Sequence, residues 1–469
     1  KPILRLLSVF LVVAILVSPS ATGTRAEGDR RRDKRLAQLL RWLEEGGVDL
    51  KAVKAEWTDR MGWVLRANRP IAPNDMLLKV PRRLLLGPHQ LKGSHLDKLA
   101  GRMEVPDRML LLLMCERVNS SSFFRPYLDL LPSKVDTPIS WSMEEARELV
   151  GSWVLSKAVR LRHELSRSYQ QMKEEVLDKF PDRFPPPLFS YELYQWAYSI
   201  LRSRAFGNYT LLPLIDMMNH HPDSRLAPTL LSDGSDALIA RKEYSPGEEI
   251  WGFYGRKSDG DLLLNYGFTT SPQHTNRFNQ VELVLDLDLS RPSISEIVDL
   301  KHMLVQACGF TSTQQKFVLY KGFISSTLIT YLSMDAVDDG DGEDTLMAIA
   351  HGDVTTLRAE TLSRILDKVL RKISQLATVL LTSYPSGDLL ADLQRWRGHE
   401  KEVAPSRRRQ ALTVRMVEKD ILTTLKQHAT MAAEMTRGCK EDCNQLYHRA
   451  GNLTWLMERR GGGSEKCTE

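Results

Sequence analysis

Two Tyr-Gly pairs, Tyr254-Gly255 and Tyr266-Gly267, stand twelve positions apart, downstream of an apolar run from Leu211 that carries Asp216, Asn219 and His220. A carboxylate, a carboxamide and an imidazole in one loop can hold a polar ligand through hydrogen bonds, and a phenol can both donate and accept one. Glycine after each tyrosine lets backbone approach closely, so the two phenols can line one narrow pocket. Taken singly, each feature has a plainer reading. An Asn-His pair is more often a turn, and a buried tyrosine is usually a core residue with its hydroxyl satisfied. Order and spacing together lift the set above that background.

The elements that must position these groups read as follows. Ala237-Leu238-Ile239-Ala240, a turn at Ser245-Pro246-Gly247-Glu248, and Ile250-Trp251-Gly252-Phe253-Tyr254 read as two strands around a Pro-Gly turn, with Tyr254 at a strand end. Leu262-Leu263-Leu264-Asn265-Tyr266-Gly267-Phe268 is a short apolar element ending in the second tyrosine. Upstream, Leu201-Arg202-Ser203-Arg204-Ala205-Phe206 ends a helical pattern. Near the start, Arg60-Met61-Gly62-Trp63-Val64-Leu65-Arg66-Ala67, a turn at Pro73-Asn74-Asp75, and Met76-Leu77-Leu78-Lys79-Val80-Pro81 read as an opening hairpin.

This arrangement resembles the SET methyltransferases, in the branch typified by the Rubisco large-subunit lysine methyltransferase and the actin-histidine methyltransferase, over residues 50 to 430. The resemblance implies an α+β fold: a β-rich SET domain with a helical insertion, followed by an all-α C-terminal substrate-binding domain. It implies S-adenosylmethionine as the methyl donor, with Met61, Gly62 and Trp63 touching it from the Gly-containing loop, Asn219, His220 and Asp216 anchoring it, and Arg204 clamping its carboxylate. Tyr266 becomes the first catalytic tyrosine and Tyr254 the second, while Arg202 reads as a surface arginine. The branch usually carries a second glycine where this chain has Val64.

Phe124-Arg125-Pro126-Tyr127-Leu128-Asp129-Leu130-Leu131-Pro132 resembles the family's entry into the insertion at about 142–200. Ser142 with Glu145 forms a capping box, and the helical period that follows predicts a helix running to about Phe180, where Pro181 and Pro185-Pro186-Pro187 break it. A second helix follows Ser190. After one last strand at Val281, Leu283, Leu285 and Leu287, the pattern beyond Pro292 is helical, with Leu362, Ile365, Leu366, Val369, Leu370 and Ile373 on one apolar face. The divisions expected are 1–30, a signal peptide or anchor; 31–290, the SET domain; 291–435, the helical substrate-binding domain; and 436–469, a tail.

A chain of 469 residues with 42% hydrophobic residues supports two or three folded domains. Net charge is only +5, so the basic clusters Arg30 to Arg35 and Arg407 to Arg409 read as solvated helix ends, and no nucleic-acid partner is expected. The acidic run Asp335 to Asp344 lacks calcium-loop spacing and reads as an exposed linker. Lys1 and Arg5 precede an apolar run over residues 6–17, which predicts a signal peptide. It is short of the roughly 20 apolar residues of a membrane span, so cleavage is favoured over anchoring. The expected destination is the secretory lumen or a plastid reached through it, with membrane anchoring as the alternative. Asn119, Asn208 and Asn452 begin glycosylation triplets. Cys115 and Cys308 lie in apolar helical runs and are expected buried and free. Cys439, Cys443 and Cys467 with His448 fit a disulfide before a zinc site, and no metal is expected.

The function expected is a monomeric protein-lysine N-methyltransferase whose protein substrate docks on the C-terminal helical domain. Histidine methylation is the alternative within the branch, but the histidine enzyme departs from the Tyr-Gly-Phe pattern kept here at Tyr266-Gly267-Phe268. A catalytically silent SET-fold binding protein is the other alternative, and Val64 is its best support.

Overall fold

The computed structural model describes residues 21–270, 276–286, 299–301, 303–304, 314–338, 340–386, 388–402, 404–436 and 447. The apolar run at 6–17 and Cys308, Cys439, Cys443, Cys467, His448 and Asn452 lie outside the described residues.

A helix over Ala21–Glu45 opens the described chain, so the boundary expected at residue 30 falls within a continuous helix. Val53–Thr58 and Gly62–Ala67 then form an antiparallel hairpin, from Val53 opposite Ala67 to Thr58 opposite Gly62. Gly62 has φ +75, a left-handed conformation that L side chains rarely adopt. Met76–Val80 is not the second strand of that hairpin, as the turn at Pro73-Asn74-Asp75 suggested: Val53–Thr58 already occupies Gly62–Ala67, and Met76–Val80 pairs instead with Asp236–Ile239, which also pairs with Thr229–Leu230, while Ala205–Phe206 pairs with Thr210–Leu211. Isolated bridges between Arg66 and Glu249, Leu86 and Leu211, and His220 and Gly252 join these small sheets around a core that includes Leu65, Leu78, Leu86, Leu211, Leu238 and Ile250. The expected strand over Ile250 to Tyr254 does not form, because Asp236–Ile239 is paired on both sides by other strands; the segment is held instead by three backbone bonds to separate elements, donated from Ile250, Gly252 and Phe253 to Leu65, Asn219 and Leu226.

The insertion follows the sequence pattern with one adjustment. The Ser142 capping box forms, yet it caps only the one-turn helix Met143–Ala146. Gly151, at φ +90, breaks the chain, and Ser152 caps the long helix Trp153–Met172, which continues as a wider turn over Lys173–Leu177 instead of reaching Phe180. Ser190 caps Tyr191–Arg204 through the Leu193 amide.

The C-terminal region is mostly helical: Ser326–Ala336, Glu343–His351, Ala359–Thr382, Leu389–Gly398 and Arg407–Thr436. All six residues of the expected apolar face on Ala359–Thr382 are buried. The helical pattern beyond Pro292 is interrupted by the strands Gln314–Tyr320 and Phe323–Ile324, which pair back toward Gln280–Asp286. Period two decides it, since Phe317 and Leu319 are buried between less buried neighbours. The acidic run is no simple linker: Asp335 lies in the last turn of one helix, Glu343 begins the next, and Asp338 pairs with Lys368 at 2.9 Å.

The basic cluster at Arg407 is likewise not a solvated end. Arg407 contacts Asp136 at 2.8 Å and Glu145 at 2.5 Å, and Arg408 contacts Glu148 at 3.3 Å. Deeper in the same interface Glu418 accepts from the Ser152 hydroxyl at 2.8 Å and the Tyr384 hydroxyl at 2.7 Å.

Gly151 sits against that interface, and a Cβ there would lie 2.8 Å from Cα of Tyr384. Gly151→Ala is therefore expected to destabilise the fold by about 1–3 kcal/mol, from overpacking and an unfavourable φ. A thermal melt followed by circular dichroism checks this, and an unchanged midpoint refutes it.

Candidate active site

A cavity of about 670 Å³ opens between the N-terminal hairpin, the loop after Leu214 and the helix Asp259–Tyr266. Of the residues singled out in the sequence, Met61, Gly62, Trp63, Arg204, Asp216, Asn219, Tyr254 and Tyr266 line it. His220 does not line it and stands behind the ring of Tyr254, at 5.1 Å between centroids.

The centre of the arrangement is Asp216, whose side chain is 1% exposed. Its Oδ2 accepts from the Tyr127 hydroxyl at 2.9 Å and from Arg204 Nη1 at 3.0 Å. Burial pushes the Asp216 carboxyl above its ordinary range, while Arg204 and Tyr127 act the other way. Against the burial that disfavours its charge, Asp216 holds Arg204 above the ordinary guanidinium range. The second carboxylate oxygen, Oδ1, is buried with no partner among the described residues. Tyr127, the partner that sequence reasoning did not assign, was present in the Phe124 to Pro132 motif.

The next residues carry the geometry outward. Leu214, at φ +71, turns the chain into the short helix Ile215–Met217. The Met218 carbonyl then accepts a short hydrogen bond from the Tyr254 hydroxyl. Asn219 Nδ2 donates to the Trp63 carbonyl at 3.3 Å and to Glu249 Oε1 at 3.1 Å, strapping this loop to the hairpin. His220 Nδ1 accepts from the Tyr254 amide at 3.2 Å, and its Nε2 is buried without a partner.

The two tyrosine rings lie 5.0 Å apart, with Phe268 against both. Burial raises both phenols, so they are protonated at neutral pH. They differ in engagement, because the Tyr254 hydroxyl donates a hydrogen bond to the Met218 carbonyl whereas the Tyr266 hydroxyl has no protein partner among the described residues. Gly267, at φ +82, closes the helix carrying Tyr266 and packs against the backbone of Asp136. Arg202 is exposed, as expected, and steadies this helix by donating to Asn265 Oδ1 at 2.8 Å.

Arg31, Arg32 and Arg35 come from the basic run that reads as solvated, yet they line the cavity from the first helix. Arg32 lies 4.1 Å over the Trp57 ring, a contact that only the hairpin's approach to that helix creates. Val64 is fully buried and does not line the cavity, so the departure from the family's second glycine falls in the core.

Residues 293–422 match the Rubisco LSMT substrate-binding family. The pea Rubisco large-subunit N-methyltransferase is 28% identical over 320 residues, 64% of this chain and 63% of that protein. The Arabidopsis thaliana fructose-bisphosphate aldolase lysine N-methyltransferase is 29% identical over 55% of this chain and 56% of that protein. The match thus spans less than two thirds of the length of either. The human actin-histidine N-methyltransferase is 25% identical over 94% of this chain and 76% of that protein. A solved SET domain of LSMT, bound to lysine and AdoHcy, superposes with a TM-score of 0.75 at 22% identity over 92% of this chain and 99% of that one.

The chain is a SET-fold protein related to the Rubisco LSMT and actin-histidine methyltransferase branch. The opening hairpin, the loop at Asp216 to His220 and the Tyr266-Gly267-Phe268 turn are the parts of this SET fold that meet at the cavity.

One consequence concerns acid. Burial lowers His220 from 6.5 to about 4. A depressed folded value means that its contribution is full above the unfolded pKa and is lost as pH falls from 6.5 toward 4. The loss is on the order of 3 kcal/mol for this group. Urea unfolding of wild type and His220→Asn at pH 7 and 4.5 is expected to show the smaller acid loss in the variant; equal losses refute the assignment.

Proposed function

We propose that the protein is a protein-lysine N-methyltransferase using S-adenosylmethionine. The observation that carries the reading is the pairing of Tyr254 and Tyr266 in one cavity with a loop and hairpin able to hold the donor. The residues fit that donor: Asp216 offers an unpartnered buried acceptor for an ammonium. Arg204 bonds Asp216 through Nη1, leaving its other nitrogens for a carboxylate. Gly62 allows close backbone approach beside Met61 and Trp63.

When bound, the donor supplies an electrophilic sulfonium methyl, so the protein's task is to present a neutral amine in line with it. A lysine amine has an ordinary pKa of about 10.4, and a desolvated, aromatic-walled channel lowers it. Tyr254, its own proton committed to Met218, offers lone pairs to an amine N–H. Tyr266 offers a free hydroxyl and orients the amine's lone pair. His220 acts through Tyr254, holding its backbone and stacking on its ring.

Histidine methylation is a second reading, favoured by the actin-histidine relative aligning over 94% of this chain. The Tyr266-Gly267-Phe268 sequence argues for lysine. Incubating the protein with labelled donor and Rubisco, fructose-bisphosphate aldolase or actin, followed by mass spectrometry of the modified residue, separates the two; no donor binding at all favours the silent binding protein. The helical region is proposed to dock a protein substrate, with the enzyme acting as a monomer. The N-terminal apolar segment is proposed to direct the chain to the secretory lumen or a plastid. Cleavage is favoured over anchoring, because the apolar run is shorter than the roughly 20 residues of a membrane span. N-terminal sequencing of the mature protein tests this.

Tyr266→Phe is expected to lower turnover by on the order of 100-fold with donor affinity nearly unchanged; equal loss of both would make Tyr266 a binding or folding residue. Asn219→Ala leaves the Trp63 carbonyl and Glu249 without this partner and is expected to weaken donor binding by about 1–3 kcal/mol. Isothermal titration checks this, and wild-type affinity in the folded variant removes Asn219 from the site.

A further inference from the structure

Arg407 belongs to the helical region, yet its contacts end at the cavity. Its Nε lies 2.8 Å and 3.0 Å from the two carboxylate oxygens of Asp136, and Nη1 lies 2.5 Å from Glu145 Oε1. Asp136 lines the cavity at the end of the stretch from Asp129. The backbone of Asp136 lies against Gly267, where an added Cβ would stand 2.7 Å from the Asp136 carbonyl oxygen. Gly267 joins Tyr266 to Phe268, both also on the cavity wall. The first turn of Arg407–Thr436 is therefore connected to the tyrosine turn through one ion pair and one backbone contact.

We propose that Arg407 is a positioning residue that holds the Asp136 wall against the Tyr266-Gly267-Phe268 turn and so couples the helical region to the chemistry. The inference rests on the methyltransferase reading. Asp136 has a half-exposed side chain and Arg407 is 28% exposed, so the pair contributes little to overall stability. Its value lies in geometry, because a guanidinium held by two carboxylates allows fewer orientations than an ammonium would. Arg408 provides the comparison: it pairs with Glu148 at 3.3 Å, in the same interface, and neither it nor Glu148 lines the cavity.

The test compares wild type, Arg407→Gln, Asp136→Asn, the double variant and Arg408→Gln. The probes are free L-lysine with labelled donor and hydrogen exchange of the segments 129–136 and 262–270. Arg407→Gln is expected to lower kcat on free lysine by on the order of 10-fold, with the melting midpoint nearly unchanged and exchange accelerated in both segments. Arg407→Lys should restore part of the rate. The double variant should be no slower than either single one, because both remove the same link. Arg408→Gln should match wild type. Unchanged exchange in Arg407→Gln overturns the proposal, as does wild-type kcat or an equal effect of Arg408→Gln. If wild type transfers no methyl to lysine or to the relatives' protein substrates, the enzymatic reading falls, and the exchange measurement still decides whether the link exists.

Discussion

Burying one carboxylate at Asp216 constrains most of the cavity. An isolated buried charge is prohibitive, so Asp216 must be met by partners, and here these are Arg204 from the end of Tyr191–Arg204 and Tyr127 from the entry to the insertion. Three stretches distant in sequence are thereby brought to one point. Two residues beyond Asp216 the Met218 carbonyl accepts a hydrogen bond from the Tyr254 hydroxyl, and one further on Asn219 ties the loop to Trp63. The donor hairpin and the tyrosine pair thus inherit their placement from the same buried ion pair.

The boundary between the SET portion and the helical region is polar in an unusual degree. Arg415 reaches across it to the Glu148 carbonyl at 3.3 Å, and within the helical region it shares the buried Asp392 carboxylate with Lys419, both cations at 2.6 Å. Burial pushes Glu418 to about 8 even though Ser152 and Tyr384 both donate to it. Buried ionic groups add little net stability compared with apolar packing, but a wrong register would leave them unpaired. The interface is accordingly specific in how the long helix Arg407–Thr436 sits on the insertion. Arg407 lies at the edge of that same contact, nearest the cavity.

Local signals made many elements legible. The Ser190 cap and the apolar face from Leu362 to Ile373 are each written in a few neighbouring residues, and each is formed, whereas the expected pairing of Gly62–Ala67 with Met76–Val80 is not, because each takes a different partner strand. The errors fall where a longer-range contact decided. The Ser142 capping box was read as the start of a long helix, and the break at Gly151 follows from the close approach of Tyr384, over two hundred positions away. The basic runs at Arg30 to Arg35 and at Arg407 looked like solvated ends because their partners, Trp57 and Asp136, lie on other elements.

By itself the sequence determined the residue types and their order: two Tyr-Gly pairs after a loop with Asp216, Asn219 and His220, a glycine-containing extended segment before them, and helical periodicity after them. Those are properties of adjacent residues, set by backbone preference and burial period. Only the tertiary structure decided that the Tyr254 hydroxyl donates to the Met218 carbonyl while the Tyr266 hydroxyl has no partner among the described residues, that His220 stands behind a tyrosine, and that a C-terminal arginine reaches the cavity wall. Hydrogen bonds and ion pairs between distant segments depend on where the whole chain packs, and no local pattern encodes them.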